Sequence, residues 1–313
     1  MRYEEIKGIK AIFADDPNWP SPANIYIIAD DAGFSLIDTG CGGVAGAPHL
    51  LAGLENWNLP LKRLHTIVLS HSHPDHMGSL GSILEETRPK VFIHSLDVDT
   101  ALNPRKLEKT FDIPFAVDCW SENRQGNSFR DFDLLKFFED FTCPMSAASK
   151  LAAVEDGEVL QLGVFEFEII HTPGHSPGHV ALFEKRKKIL LPGDLLGKAP
   201  AWYTPSSGGV TGYLDSLKKL VAANADIALP SHGLPIENVG DCIDRIRAKL
   251  MEREAILLDA LAGGGKTFME LNEILFRNPL LHFFPGCAVT ESHLVKLERE
   301  SKIERQGWWI ERS

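Results

Sequence analysis

No run of about 18 apolar residues occurs anywhere in the 313-residue chain, so no membrane span is expected. The opening, Met1 to Lys10, alternates charged with single apolar residues and has no h-region, so it does not read as a secretory signal. Cysteine is scarce. Cys41, Cys119, Cys143, Cys242 and Cys287 are scattered, odd in number and never in a Cys-x-x-Cys pair. That argues against a disulfide framework and against a zinc ribbon, and makes the cytoplasm the default location. Low-complexity tracts and internal repeats are absent as well. Positive charge is in deficit: the net charge is −11, whereas residues 243–313 hold 11 basic and 11 acidic side chains. The first 242 residues therefore carry the whole excess. A nucleic acid would meet an unhelpful mean field there, although a local basic groove stays compatible with it.

What is present is the composition of a folded protein, 44% apolar and 24% charged. The length suggests one large domain, residues 1–240, and a small one, residues 241–313. Short β-like runs at Ala11–Phe13, Asn24–Ala29, Phe34–Ile37, Thr66–Leu69 and Lys90–His94 are bounded by Gly, Pro or Asp. Further strands are expected at Val159–Leu160, Val164–Ile170, Val180–Glu184, Ile189–Leu191 and Ile227–Leu229. Helices are expected at Leu50–Trp57, Ser79–Thr87 and Gly212–Ala222. The mixture predicts an α/β fold of two packed sheets with helices on their outer faces.

Residues 95–153 are too many for a simple connection. They hold Phe111, Phe115, Trp120, Phe129, Phe132, Phe137, Phe138 and Phe141, eight of the chain's 17 Phe and 6 Trp. So many rings must be buried, and we expect a mainly helical cap walling a substrate pocket. A face toward a second copy of the chain, giving a homodimer, is the alternative.

The chemistry is concentrated in Ser70-His71-Ser72-His73-Pro74-Asp75-His76, directly after an apolar strand. Three histidines and an aspartate leaving a buried strand cannot be left unpaired. His71 and His73, two residues apart, can aim at one point, and Asp75 and His76 at a neighbouring one. Imidazole with carboxylate suits zinc, iron or manganese. The remaining donors each follow a strand: His171, His175 and His179 in HTPGHSPGH, Asp194 in PGD, and His232 in PSHG.

These motifs, together with Asp38 in Ile37-Asp38-Thr39-Gly40, resemble those of the metallo-β-lactamase-fold hydrolases over roughly residues 10–240. The resemblance implies an αββα sandwich and two divalent metal ions, zinc by default with iron or manganese as alternatives. It implies that His71, His73 and His175 bind the first ion, that Asp75, His76 and His232 bind the second, and that Asp194 bridges them. Ser231 stands where relatives often have Gly. His171 and His179 are expected to orient ligands rather than to bind, and Asp38 to anchor the metal loop. His94 is read as an edge-of-core residue, and His49, His65, His282 and His293 as surface or packing residues.

Beyond Asp241, Ile243, Ile246, Leu250, Leu257 and Leu261 keep to one side of a long helix ended by Gly263-Gly264-Gly265. Thr267-x-x-Glu270 is a capping box for a second helix. Thr290 is a candidate N-cap for a third, and Ile303–Arg305 with Trp308–Ile310 forms a hairpin about Gln306-Gly307. This outline resembles the winged-helix extension of the β-lactamase-like hydrolase branch of the same family. Its balanced charge favours a packing role.

The function implied is hydrolysis of an ester, thioester or lactone of a small, partly apolar molecule. The attacking hydroxide would be shared between the two cations, which lower the pKa of water toward about 7. Asp75 is the candidate catalytic proton acceptor. A metal-dependent ribonuclease and a mononuclear-iron sulfur dioxygenase are the rival readings.

Overall fold

The computed structural model describes residues 2–14, 21–123, 129–141 and 143–313, so 124–128 and 142 of the aromatic insertion lie outside the described residues. Seven strands form the first sheet in chain order: β1 (Arg2–Ile6), β2 (Ile9–Phe13), β3 (Ile25–Ala29), β4 (Phe34–Ile37), β5 (Leu64–Val68), β6 (Lys90–His94) and β7 (Ala152–Val154). Pairing is antiparallel from β1 to β4 and parallel from β4 to β7. The second sheet contains β8 (Val159–Leu162), β9 (Phe165–His171), β10 (Val180–Glu184), β11 (Ile189–Leu191) and β12 (Ile227–Ala228). Its order is β12-β11-β10-β9-β8, antiparallel except for the parallel β11–β12 pair.

The period-2 pattern of β9 shows why the sheets face each other. Phe165, Phe167 and Ile169 are buried while Glu166 and Glu168 point to solvent. The inward set packs on Ile9, Ala11, Tyr26 and Val68 of the first sheet, each such side chain contributing roughly 1.5–3 kcal/mol on full burial. Outside the first sheet, α1 (Gly43–Asn56), α2 (Pro74–Met77) and α3 (Leu80–Glu86) place Leu50, Leu54, Met77 and Leu80 against Ile27, Leu36 and Ile67. Four helices follow β6: α4 (Ser95–Leu102), α5 (Leu107–Thr110), α6 (Ile113–Asn123) and α7 (Leu134–Asp140). Outside the second sheet, α8 (Gly209–Ala223) and α9 (Val239–Leu261) bury Val210, Tyr213, Leu217, Ile243 and Ile246 against Ala181, Phe183 and Leu190. Helices thus cover both outer faces, as the αββα expectation requires. No helix among the described residues is long and apolar enough to cross a membrane.

After α9 come β13 (Lys266–Thr267), α10 (Phe268–Leu275), α11 (Cys287–Arg299), β14 (Ile303–Gln306) and β15 (Trp309–Arg312). The Thr267–Glu270 capping box opens α10 with both reciprocal bonds made. Thr290 does not cap α11. The helix begins at Cys287 because Gly286 already has helical dihedrals, and Thr290 lies inside it, donating to Asn272 Oδ1 at 2.9 Å.

The aromatics of the insertion find their partners in this C-terminal segment. Leu107, Phe111, Ile113 and Phe138 share one apolar cluster with Leu257, Phe268, Phe284 and Leu297. Trp120 packs edge-on to Phe129 and Phe283. No framework of disulfides was expected, and among the described residues one pair is bonded. Cys41 and Cys143 are disulfide-bonded, with their Cα atoms 5.0 Å apart across 102 residues of sequence. No local spacing announces the pair, because the turn after β4 and the chain leaving α7 meet only on folding. Cys119, Cys242 and Cys287 are free and buried.

Candidate metal centre

Every candidate donor lies just beyond the C-terminal end of a strand, on one rim of the sandwich: Asp38 after β4, His71 to His76 after β5, His175 after β9, Asp194 after β11 and His232 after β12. Two groups form. Donor atoms of His71, His73 and His175 lie within 4.8 Å of one another, as do those of Asp75, His76, Asp194 and His232.

Asp194 faces both groups. Its Oδ2 is 3.1 Å from His175 Nε2, and its Oδ1 is 3.2 Å from His76 Nε2 and 3.5 Å from His232 Nε2. Asp75 Oδ2 is 3.4 Å from His232 Nε2. In the first group His71 Nε2 and His73 Nδ1 converge to 2.8 Å. All seven residues singled out in the sequence are therefore brought together.

Asp38 explains how the metal loop keeps its shape. It takes a left-handed conformation, φ 59°, that Asp tolerates better than most residues. Its carboxylate accepts the Ser70 N–H at 2.7 Å and the Ser70 hydroxyl at 2.8 Å, and lies 2.9 Å from His76 Nδ1. That contact directs His76 Nε2 toward Asp194. Thr39 N–H donates to the His76 carbonyl at 2.7 Å, completing the brace.

His179 and His171 serve different ends. His179 is fully buried; its Nδ1 pairs with Thr172 Oγ1 at 2.8 Å and its Nε2 accepts the Asp194 N–H at 3.1 Å. Burial, with His175 nearby, pushes its pKa down to about 3, so it stays neutral and can accept. A Cβ at Gly193, where φ is 57°, would come within 2.3 Å of that Nε2, so glycine is required beside Asp194. His171 turns away from the cluster, donating to the Pro177 carbonyl at 2.8 Å and stacking on His94 at 4.1 Å.

Two participants escaped the sequence reading. Asp97, wholly buried in the first turn of α4, accepts the Ser72 N–H at 2.9 Å, the Ser176 hydroxyl at 3.0 Å and the Gly178 N–H at 2.7 Å. It thereby ties the 71–76 loop to the 171–179 loop. Its signal was available, since it also follows a strand on the ligand rim, but it stands outside any histidine motif. Trp202 was invisible for another reason, because it acts partly through its backbone. Its carbonyl accepts from His175 Nδ1 at 2.7 Å, and its ring stacks on His73 at 5.0 Å. The neighbouring Tyr203, fully buried, pairs with His293 Nε2 at 2.6 Å and receives Arg253 Nη1 at 2.8 Å, fastening this loop to α9 and α11. Asp97→Asn should reduce metal affinity or turnover about 10- to 100-fold, because the amide cannot accept all three bonds. Competition with a zinc indicator would measure it, and unchanged affinity and turnover would contradict the assigned role.

The electrostatics ask for cations. Burial and then the neighbouring histidines push His71 and His73 well below the ordinary histidine pKa, leaving neutral imidazoles. Burial works against charge on His76 and His232 too, but Asp194 and Asp75 outweigh it; His76 is held well above the ordinary value and His232 up at about 10. The carboxylates thus hold positive charge at this spot, which protons or divalent cations can supply. Geometry favours the second: the buried His76 Nε2 and His175 Nε2 lie 3.2 and 3.1 Å from the oxygens of Asp194 yet make no well-directed hydrogen bond. Nitrogen and oxygen atoms crowded together in this way fit metal ions between them.

The metallo-β-lactamase superfamily model matches residues 18–232, more than half of the chain. The chain belongs to that superfamily. A probable metallo-hydrolase of Bacillus subtilis, YqjP, is 25% identical over 300 residues, covering 89% of this chain and 88% of its own. The human acyl-coenzyme A thioesterase MBLAC2 is 24% identical over 209 residues, 64% of this chain and 67% of its own. Among solved structures, the metallo-β-lactamase family protein TTHA1429 from Thermus thermophilus superposes with a TM-score of 0.80 at 24% identity, over 98% of this chain and 99% of its own. At that identity the likeness concerns the fold alone.

Proposed function

We propose that the protein hydrolyses an ester, thioester or lactone of a small, partly apolar molecule with two divalent metal ions, zinc by default. The observation that carries this reading is Asp194, whose two oxygens face two separate donor groups at the floor of one cleft. The protein is a metal-dependent hydrolase of its superfamily. His71, His73 and His175 would hold one ion, and Asp75, His76 and His232 the other, with Asp194 between them. When bound, such ions lower the pKa of water toward about 7 and polarise the substrate oxygen.

The rest falls to the chain. A water oxygen bonds the acyl carbon and its proton passes to Asp75, whose carboxylate lines the cleft. The C–O or C–S bond then breaks, and the leaving group takes up that proton. The cleft, about 1010 Å³, has Phe111, Phe138, Trp202 and Leu196 in its wall, which excludes water and accepts an apolar acyl group. MBLAC2, by its name a thioesterase, makes thioesters the first class to try.

Phe111 lies 4.8 Å from the His73 ring and 4.2 Å from that of Trp202, so the insertion reaches the site. Trp120 is not among the cleft residues, and the expectation that it forms the wall is corrected; it packs among rings of the insertion and Phe283. Phe111→Leu, which keeps most of the apolar volume, should raise KM several-fold more for long acyl chains than for short ones. Equal changes would deny Phe111 a place in the pocket. A panel of thioesters, lactones, phosphodiesters and single-stranded RNA tests the reading as a whole. Turnover confined to RNA, or oxygen consumption with persulfides, would replace it.

A further inference from the structure

The charged lining of the cleft is divided by sign. Its carboxylates are Asp75 and Asp194, both in the donor cluster, whereas its other charged groups are Arg2, Lys198 and Arg245. Arg2 is paired with Glu4 at 2.5 Å. Among the described residues Lys198 and Arg245 have no carboxylate within ion-pair distance, on a chain whose net charge is −11. Their placement is built into the fold. Arg245, on α9, donates through Nη2 to the Gly197 carbonyl at 3.2 Å, and Lys249, one turn on, donates to the Lys198 carbonyl at 3.2 Å. The loop that leaves Asp194 is thus clasped to α9, and among the described residues the Nζ of Lys198 has no hydrogen-bond or ion-pair partner.

We propose that Lys198 and Arg245 form an anion subsite for the leaving group, so that the substrate is an acyl ester or thioester whose alcohol or thiol half carries a phosphate or carboxylate. The proposal rests on the hydrolase reading above. Lys198 stands four residues beyond Asp194, which limits their Cα separation to about 14 Å. With the lysine side chain added, the anion lies within roughly 20 Å of the scissile bond. The apolar wall receives the acyl group and the cations receive the carrier, so one cleft recognises both halves.

Three thioesters of one acyl group test this, with coenzyme A (phosphates), glutathione (carboxylates) and N-acetylcysteamine (neutral) as leaving thiols. The protein should favour an anionic thioester over the neutral one by about tenfold in kcat/KM, two exposed ion pairs each contributing a few-fold. Raising salt to about 1 M, where the Debye length is about 3 Å, should shrink that preference. A preference for the coenzyme A ester assigns phosphate, and one for the glutathione ester assigns carboxylate. Lys198→Ala removes a side chain with no hydrogen bond or ion pair among the described residues, and Arg245→Gln keeps a donor for the Gly197 carbonyl. Together they should abolish the preference. Equal kcat/KM on all three esters, or a preference that survives both substitutions, would overturn the subsite. If no thioester is turned over, calorimetry with the non-hydrolysable S-ethyl thioether of coenzyme A separates the two claims. Binding that weakens about tenfold in the double variant keeps the subsite and removes the thioesterase reading. Absent binding, or equal binding in both proteins, removes the subsite.

Discussion

Asp194→Ala is expected to lower kcat/KM by about 10³-fold or more, on the order of 4 kcal/mol of transition-state stabilisation, while the protein stays folded. The size follows from geometry. The two oxygens of Asp194 face both donor groups, so its loss affects both ions at once. The fold should survive because the Asp194 backbone, not its carboxylate, is what His179 holds. Thermal melting and steady-state kinetics on the same preparation would check both halves. Wild-type turnover in the variant would remove Asp194 from the centre. His171→Ala should cost far less, since His171 supports the Pro177 carbonyl rather than the cluster.

Metal removal should have the second large effect, on stability as well as rate. Chelation leaves buried imidazoles and carboxylates crowded within 3.1–3.5 Å of one another that only protons can reconcile. A ligand that binds only the folded state at about 1,000 times its Kd stabilises by about 4 kcal/mol. For a chain of this size that corresponds to a melting shift of about 6 °C. Scanning calorimetry before and after dialysis against chelator would read it. Loss of activity with an unchanged Tm would mean that the ions bind too weakly to support the fold.

The donor cluster was legible because it follows a rule the sequence displays, in which apolar strands are each followed at once by a His or Asp. β4, β6, β10 and β11 were read to the residue for the same reason, as apolar runs with sharp polar boundaries. β1 was missed because Arg2, Glu4 and Glu5 make it polar, as an exposed edge strand can be. Long-range facts were not legible. The Cys41–Cys143 bond joins segments 102 residues apart, and the insertion's aromatics meet partners far downstream, as where the Phe115 ring packs edge-on to Phe268 at 5.7 Å. Contacts made through the backbone leave no residue-type signal either, as with the Trp202 carbonyl on His175. The capping box at Thr267 was read correctly and the N-cap at Thr290 was not. Only the first depends on local bonds.

The most direct measurement titrates zinc into the chelator-treated protein, following heat release and hydrolysis together. A two-ion centre predicts two equivalents per chain, with activity rising as they bind, and a single equivalent in His232→Ala. Saturation at one equivalent in the unsubstituted chain, with His232→Ala indistinguishable from it, would contradict that centre.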